Sequence, residues 1–282
     1  MTQTPLPKLL SIAGSDPSGG AGVQADLKTF AAFGAHGMAA VAALTVQNTL
    51  GVQRVAPVPA RLVAAQIDAV FADIAVDAVK IGMLATAENA RAVAQSLQKA
   101  GARNVVLDPV LAASLGEAAG ETDLPAAILQ CLLPLATLVT PNLDEAAVLT
   151  GTPLARNVAE MAEQAERLVA WGAKAALVKG GHLSGAPLDV LFTQGAAKTF
   201  HGVRVETRNT HGTGCALSSA IAAGLGQGLA LEAAIQAAKA WLERALAAGA
   251  AFDLGAGAGP PDHFWEWRWR LNLDGRGEEP NQ

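Results

Sequence analysis

Short apolar runs alternate along the chain with longer stretches in which apolar residues return every three or four positions. The first pattern suits buried strands and the second suits amphipathic helices. Strands are therefore expected at Lys8–Ala13, Met38–Leu44, Ala78–Ile81, Val105–Leu107, Leu138–Thr140, Ala175–Lys179 and Val190–Phe192. Helices are expected at Gly22–Phe33, Pro59–Ile74, Ala87–Ala100, Leu124–Leu135, Asn142–Thr150, Asn157–Trp171, Cys215–Gln227 and Leu231–Gly249. A strand-like stretch, Val203–Glu206, leads into the penultimate helix. Strand-then-helix repetition implies an α/β fold, with a mostly parallel sheet covered by helices on both faces. No linker-like stretch divides the chain before Gly255, so a single domain over residues 1–282 is expected. Its core would run from about 8 to 265, and the polar tail from Asn272 would be frayed.

Composition narrows the function classes. Of 282 residues 51% are hydrophobic and 16% charged, so a sizeable core can be buried. Net charge is −5, and Lys and Arg form no block. That argues against nucleic acid or an anionic membrane as partner. The most apolar stretch, Leu124 to Thr140, is broken by Pro125, Gln130 and Pro134, too short and interrupted to span a bilayer. The first residues carry no signal-peptide pattern, so a soluble, cytoplasmic protein is expected. Cys131 and Cys215 offer neither a disulfide framework nor a zinc spacing.

In an open parallel sheet ligands bind beyond the carboxyl ends of the strands, so those junctions are where chemistry is sought. The first junction, Gly14-Ser-Asp-Pro-Ser-Gly-Gly-Ala-Gly22, lets backbone approach a ligand and opens a helix whose N–H groups are free. It is not a P-loop, because Gly20 and Ala21 stand where Lys and Ser/Thr are required. It is not a dinucleotide fingerprint, because no acidic residue lies between Asp26 and Asp68 to hold a ribose. The second junction, Thr45-Val-Gln-Asn-Thr49, offers amides that suit a heteroaromatic ring edge, although such residues also cap turns.

At the third and fourth junctions, Asp108-Pro109 and Thr140-Pro-Asn-Leu-Asp-Glu145, oxygen donors suit Mg²⁺ and phosphate. Asn142 would also cap a helix, with Asp144 and Glu145 compensating its dipole, and the two readings are compatible. Lys179 ends a strand ahead of two glycines and suits a nucleotide phosphate. In Asn209-Thr-His-Gly-Thr-Gly-Cys215 the N–H groups of Gly212, Thr213 and Gly214 form a candidate anion nest at a helix start. Cys215 falls in the first turn of that helix, where the dipole would lower its pKa; the plainer reading is a small core residue.

Taken together, Ala13–Asp26, Thr45–Thr49, Lys80-Ile-Gly-Met-Leu84, Asp108-Pro-Val110, Thr140–Ala146, Lys179-Gly-Gly-His182 and Asn209–Cys215 resemble the ordered motifs of the hydroxymethylpyrimidine kinase family. Gly257-Ala-Gly-Pro260 with His263-Phe264 is similar to its C-terminal signature. The resemblance implies a ribokinase-like three-layer α/β/α sandwich, usually dimeric, so a homodimer is expected. It implies ATP and Mg²⁺, with a monovalent cation as a further candidate. The implied activity is phosphorylation of 4-amino-5-hydroxymethyl-2-methylpyrimidine and then of its monophosphate, in thiamine biosynthesis.

By similarity Gly14, Ala21, Gln47, Met83 and Val110 would line the pyrimidine pocket, with Asp26 nearby. Asp108, Asn142 and Glu145 would hold Mg²⁺ and phosphates, and Asp108 and Glu145 are the metal candidates. Lys179, Thr210, His211 and the nest through Gly214 would bind ATP. Cys215 would be the base, standing where sugar kinases of the superfamily carry the Asp of Gly-Ala-Gly-Asp. Leu111-Ala-Ala-Ser-Leu-Gly116 departs from the family in lacking a basic residue, and the stretch to Thr122 would form a flap. Rival readings are a pyridoxal kinase and a non-catalytic binding protein of this fold.

Overall fold

A computed structural model describes residues 6–111, 123–181 and 187–271. The strands are β1 Lys8–Ser15, β2 His36–Asn48, β3 Gly51–Pro57, β4 Ala78–Ile81, β5 Val105–Leu107, β6 Leu138–Val139, β7 Ala175–Lys179, β8 Leu188–Thr193 and β9 Ala196–His201. The helices are α1 Gly22–Ala32, α2 Ala60–Asp73, α3 Ala87–Lys99, α4 Asp123–Ala127, α5 Leu143–Thr150, α6 Val158–Ala170, α7 Thr213–Gly226, α8 Leu231–Gly249 and α9 Trp265–Arg270.

All nine strands form one sheet in the order β3-β2-β1-β4-β5-β6-β7-β8-β9. From β2 to β7 neighbours run parallel, and antiparallel partners finish both edges. The expected α/β sandwich is therefore observed.

The sheet divides its side chains between two cores by simple alternation, since successive residues of a strand point to opposite faces. Leu10, Ile12, Val79, Ile81, Val105, Leu107, Val139 and Val178 pack with α2, α3, α5 and α6. Leu9, Ala78, Val106, Leu138 and Leu177 pack with α1, α7 and α8 on the other face. Because both faces are covered, the central strands read as continuous apolar runs. Chain order reverses beside β1, which is flanked by β2 on one side and β4 on the other. That switch point opens a crevice at the carboxyl ends of β1 and β4.

Several expected elements differ. Val203–Glu206 is irregular; the ladder ends where Gly202 N–H donates to Pro187 O, and Val203 N–H turns to Glu243 instead. The strand there is β9, reached through Gln194 and Gly195 at φ 52° and 76°, the positive pair of a tight hairpin turn. The second junction is itself strand: β2 runs through Thr45 and Gln47 and pairs with β3. The helix expected over Leu124–Leu135 is a single α turn followed by a π turn, Ile128–Leu132, and a 3-10 turn, Leu133–Leu135. Pro134 in that last turn brings no N–H to continue an α ladder. The flap expected to Thr122 lies outside the described residues after Leu111, as do His182 and the tail from Asn272.

The Trp-rich segment forms α9. Arg244 lies over the Trp265 ring at 5.4 Å, and Arg268 pairs with Asp262 at 2.9 Å. Trp241 packs on Phe33 and on buried His263. Burial first, with the nearby Lys28 charge, pushes the His263 pKa down from 6.5 to about 4. An unfolded His263 takes up its proton near pH 6.5, whereas the folded one resists until about 4. Its contribution is therefore present above pH 6.5 and lost as pH falls toward 4, about 3 kcal/mol in all. In denaturant titrations from pH 7 to 4, His263→Gln is expected to lose markedly less stability than the parent. Parallel pH profiles would refute this assignment.

Candidate active site

Two glycine-rich loops meet over the switch-point crevice. One follows β1 and the other opens α7, and glycine is what lets them touch. Gly212 sits at φ 76°, and a Cβ there would lie 1.8 Å from Gly20 O. Gly14, at the end of β1, faces Met83 so closely that a Cβ would lie 2.3 Å from the Met83 methyl. The first loop is wound around Asp16, whose carboxylate accepts from Ser18 N–H, Ser18 Oγ, Gly20 N–H and Ala21 N–H at 2.7–3.1 Å. Burial alone would raise the Asp16 carboxyl, but His211 with the Ser18 and Ala21 donors outweighs it, holding it well below the usual range. Sequence reasoning passed over Asp16, although an Asp two residues before a Ser in a glycine loop is a turn-nucleating signal.

Beneath the loops lies a fully buried polar cluster. Lys80 Nζ contacts Asp26 Oδ1 and Oδ2 at 2.8 and 2.9 Å, and Ser11 Oγ and Ser219 Oγ donate to the same carboxylate at 2.6 and 2.7 Å. Asp26 was expected near the pyrimidine. It is instead wholly buried, and its oxygens are occupied by this cluster. Burial would lower the Lys80 pKa, but Asp26, with smaller help from Cys215 and Asp108, raises it above its ordinary value.

Cys215 lies one α-helical turn before Ser219 and receives the Gly22 N–H. The expected lowering of its pKa does not occur: burial pushes the thiol up, Asp26 and Asp108 add to the rise, and Lys80 opposes it.

On the far side of Cys215 a cleft of about 510 Å³ is lined by Asn142, Lys179, Thr210, Thr213 and Gly214, with Leu217 and Leu242 among its apolar walls. Lys179 Nζ meets Asp108 Oδ1 at 2.8 Å and would stand 3.4 Å from a Cβ on Gly214. Asp108 also accepts from Thr140 Oγ1 at 3.2 Å and Ser218 Oγ at 3.3 Å. Burial would raise the Asp108 carboxyl, yet Lys179 and Lys80 hold it low.

Asn142 caps α5 as expected, its Oδ1 accepting Glu145 N–H at 2.8 Å, and Glu145 makes the cap reciprocal, its Oε2 accepting Asn142 N–H at 2.9 Å. Burial, with the Asp108 charge, raises Glu145 to about 7 against the pull of Lys179. Val110 follows β5 half-buried, and Ala21 caps α1. Among the described residues no three His, Cys, Asp or Glu side chains converge as a metal cluster.

His211 was grouped with the nucleotide residues, but its side chain turns the other way. Its ring contacts Gln47 and Asp16 on the crevice side. It also lines a second cavity of about 470 Å³, with Ser18, Leu50 and Leu254.

The arrangement has known counterparts. A family model described as phosphomethylpyrimidine kinase matches residues 16–262. The chain belongs to the phosphomethylpyrimidine kinase family. It is 52% identical over 256 residues to a hydroxymethylpyrimidine/phosphomethylpyrimidine kinase of Rhizobium meliloti, covering 90% of this chain and 96% of that one. The Escherichia coli protein of the same name is 48% identical over 256 residues, with the same coverage. Among solved structures, pyridoxal kinase of Bacillus subtilis in an ADP complex superposes with TM-score 0.85 at 35% identity, covering 95% of this chain and all of that one. Phosphomethylpyrimidine kinase of Clostridium difficile superposes with TM-score 0.73 at 37% identity, covering 84% and 97%. The ribokinase-like fold inferred from the motifs is thereby established.

Removing one partner of the buried pair should expose its structural weight. Lys80→Met is expected to cost about 3–5 kcal/mol in denaturant unfolding, because Asp26 is left charged and buried. A loss below about 1 kcal/mol would show that Asp26 does not depend on Lys80.

Proposed function

We infer that this chain is an ATP-dependent hydroxymethylpyrimidine/phosphomethylpyrimidine kinase of thiamine biosynthesis. It would phosphorylate 4-amino-5-hydroxymethyl-2-methylpyrimidine on the hydroxymethyl oxygen and then convert the monophosphate to the diphosphate. The observation that carries the reading is the position of Cys215. It stands in the first turn of α7, where it receives the Gly22 N–H beside the first glycine loop and directly follows Gly214, which with Lys179 lines the cleft. A flat ring in the crevice and a triphosphate in the cleft would meet there.

Each side chain then has a physical task. The N–H groups at Thr213 and Gly214 and the positive end of α7 stabilise charge on the phosphoryl group in transit. Lys179 neutralises Asp108 and faces the phosphates. Mg²⁺ is commonly held by one or two carboxylates with phosphate and water, and Asp108 and Glu145 can supply that pair. Gln47 and Met83 would hold the pyrimidine. Cys215 would sit beside the substrate hydroxyl. Phosphoryl transfer through a loose transition state is mostly positioning and charge neutralisation. A largely protonated thiol can therefore serve by holding the hydroxyl in line.

The outer face of the β2–β3 hairpin leaves Leu44 and Val46 exposed, and a second copy covering it would give the homodimer. No described helix is long and apolar enough to cross a membrane. A kinase drawing on ATP would work in the cytoplasm.

Pyridoxal kinase is the second reading, favoured by the fold match to pyridoxal kinases, including one of Staphylococcus aureus at 32% identity and TM-score 0.84. Both substrates are flat heteroaromatics bearing a hydroxymethyl group. Product analysis with Mg-ATP should give the pyrimidine monophosphate and then the diphosphate, with pyridoxal turned over less efficiently. A higher kcat/KM for pyridoxal would reverse the assignment. Cys215→Ala is expected to cut kcat severely, and near-parental kcat would remove its role. Gln47→Ala should raise KM for the pyrimidine more than for ATP; equal effects would end the ring-edge assignment.

A further inference from the structure

His211 remains without a task in the reaction as described, yet its surroundings are tightly specified. Its Nε2 lies 2.9 Å from Asp16 Oδ2 and 3.1 Å from the amide of Gln47. Asp16 is ionised and accepts from three backbone N–H groups and the Ser18 hydroxyl, so it has no proton to give. The Nε2 position must therefore carry the proton and donate it to Asp16, in the neutral ring or in the imidazolium alike.

A protonated Nε2 has no lone pair left for an amide N–H. The Gln47 atom facing the ring must then be its oxygen, an assignment that only the surrounding network can make. That orientation turns the Gln47 NH₂ toward Thr45 Oγ1, 3.1 Å from the other amide atom. Thr45 Oγ1 in turn donates to Ser15 O at 3.0 Å. The one Nε2–H is then shared between Asp16 Oδ2 and the Gln47 oxygen, and the chain of hydrogen bonds continues from the Gln47 NH₂ through Thr45 Oγ1 to Ser15 O.

The ring has little freedom to leave this position. It packs on Gly20, where a Cβ would lie 2.3 Å from His211 Cδ2. Its backbone N–H donates to Gly259 O at 3.0 Å, and Gly259 N–H is held by Asn209 Oδ1 at 2.9 Å.

We propose that His211, fixed by Asp16, is a positioning residue that locks the orientation of the Gln47 amide and thereby sets which heteroaromatic ring the kinase prefers. A free amide can rotate to match either order of donor and acceptor. A locked one offers a single order, and the aminopyrimidine edge, an amine donor beside a ring-nitrogen acceptor, must fit it. The proposal rests on the reading that Gln47 meets the substrate ring.

The test compares His211→Phe, which removes the donor, with His211→Gln, which restores an N–H, and with Gln47→Ala and the Gln47→Ala/His211→Phe double variant. KM and kcat are measured for hydroxymethylpyrimidine, pyridoxal and ATP, with thermal midpoints for each variant. His211→Phe is expected to raise KM for the pyrimidine about tenfold, the loss of roughly one buried hydrogen bond. KM for ATP should stay within about twofold, and the preference over pyridoxal should shrink. His211→Gln should recover most of the pyrimidine KM, and His211→Phe should add nothing once Gln47 is Ala. An equal rise in both KM values, or a full His211→Phe effect in the Gln47→Ala background, would overturn the positioning role. If Gln47→Ala itself leaves pyrimidine KM unchanged, the ring-edge reading and this proposal fall together.

Discussion

The buried pair of Asp26 and Lys80 is the constraint on which the rest of the site is built. Two charges removed from water are tolerated only where each is fully satisfied. Here β4 supplies the ammonium, α1 the carboxylate, and β1 and α7 the hydroxyls of Ser11 and Ser219. Four elements are thereby fixed at one point, directly beneath the two glycine loops. Gly22 and Asp26 lie one turn apart on α1, as do Cys215 and Ser219 on α7. The contact that holds Asp26 to Ser219 therefore also sets Gly22 against Cys215. The position of Cys215 is thus set by a charge pair that solvent never reaches.

From this base the site divides cleanly. On one side the two glycine loops close on each other, because Gly14 leaves room for the Met83 methyl and Gly212 for Gly20 O. On the other, Lys179 and Asp108 neutralise each other beside the cleft, and the positive end of α7 points toward it. Glu145, raised to about 7, is the group there whose charge changes near neutrality.

Much of the fold was legible in the chain. Continuous apolar runs such as Ala175–Lys179 were found to the residue because both faces of those strands are covered. The antiparallel edges were missed for the opposite reason. β3 is exposed along nearly its whole length and β9 along most of its length, so neither carries a buried hydrophobic run. The Gln194-Gly195 turn was the available clue.

The site was legible as a set of motifs and less so as roles. Glycine spacing marked the two loops that meet, and strand-end position marked Asp108, which the structure sets against Lys179. What a linear reading could not supply was direction. It could not tell that Lys80 holds Asp26 in the core, that the His211 ring faces Gln47 and Asp16, or that burial raises the Cys215 thiol. Each of those depends on contacts between residues 54 to 195 positions apart.

The central claim is that ring and nucleotide meet at Cys215. A crystal structure with hydroxymethylpyrimidine and a non-hydrolysable ATP analogue tests it most directly. The ring is expected beside Gln47 and Met83, the triphosphate against Lys179 and Gly214, and the hydroxymethyl oxygen within about 3.5 Å of both Cys215 Sγ and the terminal phosphorus. A pyrimidine seated instead in the cavity beside Leu50 and Leu254, or with its hydroxymethyl group turned from α7, would contradict it.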